Sequence, residues 1–164
     1  MPVTTFEELS LEGLQDIYDS EHQITAALPK MVEAATSADL KKAFTQHLAQ
    51  TEEHIKRLEK VFELLGEKAK RKPCVATKGL IAEGSEHMKE VAKGALLDAA
   101  LIEGAQKIEH YEIASYGTAR TYATQAGKDD IAALLEATLT EEEETDKALT
   151  VIAETVVNRK AAKK

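Results

Sequence analysis

The stretch Gly66-Glu67-Lys68-Ala69-Lys70-Arg71-Lys72-Pro73 breaks a chain that otherwise reads as helix. Gly66 can close a helix in the left-handed conformation, and Pro73 cannot continue one. On the N-terminal side of this break, Leu40, Phe44, His47, Leu48, Thr51, Ile55, Leu58, Phe62 and Leu65 recur at three- and four-residue steps. That spacing is one helical face and predicts a helix over about 38–65. Upstream, Leu14, Ile17, Tyr18, Glu21, Ile24, Leu28, Met31 and Ala35 predict a first helix over about 5–35. Thr5 (or Thr4) is its N-cap, with Glu7 and Glu8 in the first turn. Pro29 removes one internal hydrogen bond and predicts a kink. The run Thr36-Ser37-Ala38-Asp39 supplies a stop and the next cap, and so short a link makes an antiparallel hairpin.

Downstream of the break the pattern repeats. A connector over 66–95 contains a shorter helix, roughly Val75 to Ala92, and is followed by a long helix over about 96–126. The latter carries Leu97, Leu101, Ala105, Ile108, Glu112, Ser115 and Ala119 on one face, and Gly127 closes it. Asp129 is the expected cap of a last helix over 129–159, with Leu134, Leu135, Thr138, Leu139, Glu142, Leu149, Ile152 and Val156 facing inward. A short basic tail, 160–164, ends the chain. Each main helix is about 40 Å long. Two antiparallel hairpins joined by one long crossover are the ferritin-like form of the four-helix bundle, since an up-down-up-down bundle needs no such connector. The expected fold is therefore a single all-α domain of this kind. Composition agrees: Ala, Leu, Ile and Val dominate, with four Tyr, three Phe and no Trp, a mixture that suits helices better than sheets.

The formal charge of −8 repels duplex nucleic acid. Lys68–Lys72 and Arg159–Lys164 are the only local basic stretches, and so short a tail reads as a solvated end. A single cysteine, Cys74, excludes an internal disulfide and suits a reducing compartment. No apolar run approaches the about 20 residues of a membrane span, and no secretory signal is visible. A cytoplasmic protein without membrane or nucleic-acid partners is expected.

The informative feature is what interrupts the apolar stripes. Glu21 lies between Tyr18 and Ile24; His47 shares a row with Phe44 and Thr51, and His54 lies further along it. Glu109 and Glu112 are bordered by Ile108, Ile113 and Tyr116. Glu142 falls between Leu139 and Leu149, one turn from Asp146. All four long helices thus carry carboxylate or imidazole groups near mid-length. Uncompensated burial of even one carboxylate costs several kcal/mol. Such groups must be paired, protonated or bound to metal, and few Lys or Arg share their rows. Oxygen and imidazole donors suit iron or manganese, with zinc a third choice. Inward Glu residues also arise by chance in a run such as Glu141–Glu144, so the weight rests on the constellation rather than on one residue.

The segments Leu14–Glu21, His47–Thr51, Gly79–Gly84 and Glu109–Gly117 resemble the YciE/YciF-type ferritin-like family along nearly the whole chain. That resemblance implies a bacterial stress-response protein that forms homodimers. More distantly, the chain is similar to the di-iron domain of rubrerythrins, which implies ligand roles for Glu21, His54, Glu109, Glu112 and Glu142. Thr51 stands where that pattern has a Glu, and Thr145 where it has a His; Asp146 is the nearest substitute carboxylate. Gln50 replaces a Glu common among YciF-type relatives. An asymmetric site, a mononuclear site and one using His47 are each compatible with these changes. Tyr116 is either an accessory group near the ligands or a core tyrosine. The functional expectation is a metal-binding protein that meets peroxide or dioxygen; the alternative is a non-enzymatic dimer with a vestigial or structural site.

Overall fold

A computed structural model describes residues 2–163, so the last lysine of the basic tail lies outside it. Five helices longer than two turns form in chain order: α1 (Phe6–Ala34), α2 (Ala38–Leu65), α3 (Val75–Glu90), α4 (Ala95–Gln125) and α5 (Asp129–Ile152). The all-α expectation holds, and no strand occurs among the described residues. Helix α1 opens on a capping box, in which the Glu8 N–H donates to Thr5 Oγ1 and the Thr5 N–H to Glu8 Oε2, each at 3.1 Å. The helix continues through Pro29. Ser37 caps α2, and Gly66, at φ 71°, ends it in the left-handed conformation where a side chain would be strained.

Two details depart from expectation. Lys128, not Asp129, precedes α5, and no side chain caps that end; Asp129 and Asp130 instead lie in the first turn, where they complement the helix dipole. The last helix is also not one run through 159. A π-helical turn, Ala153–Val157, follows α5 and leads to a final turn, α6 (Asn158–Ala161). The extra residue in that turn shifts the helical register. Val157 is thereby buried against the apolar cluster that includes Leu97 and Leu101.

Helices α1 and α2 pair, as do α4 and α5; α2 also packs on α5, and α1 on α4, closing the four-helix ring. The crossover helix α3 lies against α1 and α4. Asp98 of α4 ties the α1–α2 turn to the second hairpin by accepting the N–H groups of Thr36 and Ser37 and the Thr36 hydroxyl. Asp19 of α1 anchors the start of the crossover by accepting from the Cys74 N–H and from Arg71 Nε.

The core is not continuous. One apolar cluster gathers Leu14, Tyr18, Leu58, Phe62, Tyr116, Leu135 and their neighbours at one end of the bundle. A second gathers Ile24, Leu28, Phe44, Leu101, Ile108 and Leu149 at the other. The buried Glu21, His47, His54, Glu109, Glu112 and Glu142 fall between these clusters. Burial of the two apolar ends supplies the stability that the charged middle layer opposes.

Candidate metal centre

Each helix of the ring turns one or more polar side chains into this middle layer. Helix α1 contributes Glu21, α2 contributes His47 and His54, α4 contributes Glu109 and Glu112, and α5 contributes Glu142; all are buried. His47 Nε2 lies 3.1 Å from Glu109 Oε1 and 3.7 Å from Glu142 Oε2. His54 Nδ1 lies 2.9 Å from Glu142 Oε1 and 3.3 Å from Glu21 Oε1. The donor atoms form two groups, each with its members within 4.8 Å of one another: His47, Glu109, Glu112 and Glu142 in one, Glu21, His54 and Glu142 in the other. Glu142 belongs to both.

The layer leaves many polar atoms without hydrogen bonds. Glu21 Oε2, Glu109 Oε2, both oxygens of Glu112 and both of Glu142 make no aligned hydrogen bond, and neither do His47 Nε2 and His54 Nδ1 despite their close approach to these carboxylates. Orphaned buried groups of this kind are rare, and here their lone pairs converge. The donor set fits a divalent transition metal.

Electrostatics record the strain of an unscreened cluster. Burial, reinforced by the negative charge of Glu21, raises the pKa of Glu109 to about 7. Burial and the neighbouring Glu109 bring Glu142 to about 7 as well. Burial and the fields of Glu21, Glu142 and Glu109 push Glu112 well above the carboxylate range. Burial opposes a charged His54, but Glu142 and Glu21 outweigh it and raise its pKa to about 10. Without a cation, this layer holds protons.

The remaining sequence candidates fall into place around these six. Tyr116 is fully buried and its hydroxyl donates to Glu21 Oε1, so it touches a donor group directly. Thr51 turns its hydroxyl back to the His47 carbonyl at 2.8 Å within its own helix, and presents no ligand. Thr145 Oγ1 lies 3.3 Å from His47 Nδ1. The position expected to hold an imidazole on α5 therefore contacts one supplied by α2. Asp146 is not brought into the layer. It points outward, 3.1 Å from Gln106 Nε2 and 3.3 Å from His110 Nε2. Gln50 is half-buried on the flank of α2.

Two residues that the sequence did not single out complete the surroundings. His54 Nε2 lies 2.7 Å from Glu141 Oε2, and Arg57 grips both Glu141 oxygens at 2.7 and 2.9 Å. This is the carboxylate–histidine arrangement that orients a metal-binding imidazole. Arg57 sits three residues after His54, which is a usable signal. Within the run Glu141–Glu144, the packed structure buries Glu142, which the sequence put on an apolar face, and sets Glu141 on its flank.

Comparison with known proteins places the chain. Residues 5–162 match a domain family of unknown function, DUF892. The protein YciF of Escherichia coli (strain K12) is 45% identical over 165 residues, spanning 100% of this chain and 99% of the relative. The crystal structure of the E. coli stress protein YciF superposes with a TM-score of 0.92 at 44% identity, covering 96% of this chain and 99% of that one. YcfI of Rhodopseudomonas palustris, described as a candidate structural protein, gives 0.90 at 46% identity over 92% and 96% of the two chains. A Xanthomonas campestris protein shares the fold alone, at 22% identity, a TM-score of 0.75 and 96% coverage of both chains. The chain thus belongs to the DUF892 family, and within it to the YciF type.

Proposed function

We propose that this chain binds two divalent transition-metal ions, iron foremost, in the polar layer of the bundle, and that the loaded site reacts with dioxygen or peroxide in a bacterial stress response. The observation that carries this reading is the pair of donor groups joined at Glu142. Charge balance supports two ions: Glu21, Glu109, Glu112 and Glu142 together offer four negative charges when ionised, which two divalent cations would neutralise. Manganese or zinc suit the same donors less selectively.

In this reading His47, Glu109 and Glu112 would hold one ion and Glu21 and His54 the other, with Glu142 available to both. Two iron ions held there would supply the electrons that reduce dioxygen or peroxide. The chain's own residues do the rest. Glu141, fixed by Arg57, holds the His54 ring so that Nδ1 faces the layer. Tyr116 fixes Glu21 through its hydroxyl. The apolar clusters at both ends exclude bulk water. Glu109, Glu112 and Glu142, which hold protons without a cation, would release them to bind metal.

Metal analysis of protein purified without chelators or a polyhistidine tag, followed by iron(II) titration, tests the reading. Two ions per chain and peroxide or dioxygen consumption are expected; no stoichiometric binding would falsify it. A second reading, a non-enzymatic protein with a structural site, is favoured by the inward-bonded Thr51 hydroxyl. Metal that raises the melting temperature without oxidant turnover would establish it. Homodimer formation belongs to the same proposal, supported by exposed Phe6 and Leu9 on α1, with the Phe6 ring tilted by 56° against Tyr122. Light scattering tests it. No helix among the described residues is long and apolar enough to cross a membrane. A cytoplasmic location is part of the proposal, in keeping with the free thiol of Cys74.

A further inference from the structure

Between α1, α3 and α4 lies a cavity of about 260 Å³, open to solvent on one side. Its walls are mostly apolar, with Leu80, Ile81 and Met88 of α3, Met31 of α1 and Leu101 and Ile108 of α4. Gln23, Lys30 and Ser85 are the polar residues among them. A second, smaller cavity of about 20 Å³ lies deeper in the bundle. His47, Glu109 and Thr145 line it together with Ile24, Phe44 and Leu149. The two share Ala27, Met31 and Ile108 as a common wall. His47 Nε2 and Glu109 Oε2, atoms of two residues lining the smaller cavity, are among those without an aligned hydrogen bond.

We propose that these cavities are the route by which dioxygen reaches the His47–Glu109 side of the polar layer, with Ala27, Met31 and Ile108 setting the aperture. The occupant follows from size and chemistry. The inner cavity holds about one molecule of the size of water. Along the common wall nothing offers a hydrogen bond, so hydrated ions and peroxide pay the full cost of desolvation while an apolar diatomic pays none. Met31 is unbranched and half-buried, which lets it rotate to join the two spaces. Crossover helix α3 forms the outer wall, giving the long connector a role at the site beyond covering the bundle. The choice of dioxygen rests on the reading of the layer as a metal centre; the passage itself does not.

Xenon, an apolar gas, probes the passage in metal-free protein. Xenon-pressurised crystals are expected to show the gas in both cavities, and Ala27→Leu to remove it from the inner one. In iron(II)-loaded protein, Ala27→Leu is expected to slow oxidation by dioxygen several-fold, and Ile108→Ala to speed it, with iron stoichiometry unchanged. These variants narrow and widen the same aperture, so either one that folds gives an answer. Absence of xenon from the inner cavity of the unmodified protein overturns the proposal. So does an unchanged dioxygen rate in Ala27→Leu when its iron content is intact. If no iron binds at all, the metal-centre reading falls, and the xenon result alone decides whether the passage exists.

Discussion

His54 and Glu141 meet at 2.7 Å through Nε2, which leaves the other ring nitrogen of His54 facing Glu21 and Glu142 in the buried layer. One imidazole thus links an anchored surface carboxylate to the centre of the bundle. Its orientation depends on Arg57, which holds Glu141 with two hydrogen bonds.

Replacing Arg57 by Met therefore frees Glu141 without touching any donor of the layer. Loss of such a supporting group lowers metal affinity by about 10–100-fold. Isothermal titration with iron(II) or manganese(II) measures this, and an affinity equal to that of the unmodified protein would show that Arg57 holds only the surface.

Glu142 belongs to both donor groups, whereas Glu21 belongs to one. Glu142→Gln should abolish binding of both ions, and Glu21→Gln should leave one. In the absence of metal Glu142→Gln should raise the melting temperature at neutral pH, because it removes a buried carboxylate beside Glu109. Elemental analysis and metal-free melting curves of the two variants read these effects. Equal stoichiometry in both variants would contradict a bridging role.

Stability of the metal-free protein should depend on pH in one direction. Glu109 and Glu142 have pKa values of about 7 in the fold against an ordinary 4.5, so between these values the folded chain holds protons that the unfolded chain has released. Stability therefore falls as pH rises through that window. His54, raised from 6.5 to about 10, has the same sign: its contribution is complete below 6.5 and is lost toward 10. The metal-free melting temperature should fall between about pH 5 and pH 8, and saturating metal should flatten or reverse the slope, because metal displaces protons. A metal-free melting temperature that rises over this range would contradict the electrostatics described.

Asp98→Ala tests the fold apart from the centre. It leaves the Thr36 and Ser37 N–H groups of the α1–α2 turn without their carboxylate partner. A loss of about 3 kcal/mol in unfolding free energy is expected from unpaired, partly buried donors. Denaturant titration measures it, and metal content per folded chain should not change.

The sequence by itself determined the helices and their connectivity, because caps, glycine stops and three- to four-residue periodicity are local properties of the chain. Thr5, Ser37, Gly66 and Gly127 each act within a turn of themselves, and the connector's length selects the crossover. The sequence also placed Glu21, Glu109, Glu112 and Glu142 on apolar faces, because a charge interrupting a stripe is visible without coordinates of its neighbours. Tertiary packing decided the rest. A helical wheel fixes which residues share a face but not how four faces rotate against one another. Only their mutual rotation puts Asp146 outside with Gln106 and His110, turns Thr51 onto its own backbone, and brings His47 from α2 to Thr145 on α5. The same rotation brings Glu142 against both histidines and sets Glu141, its neighbour about 100° around the helix, against the outer nitrogen of His54.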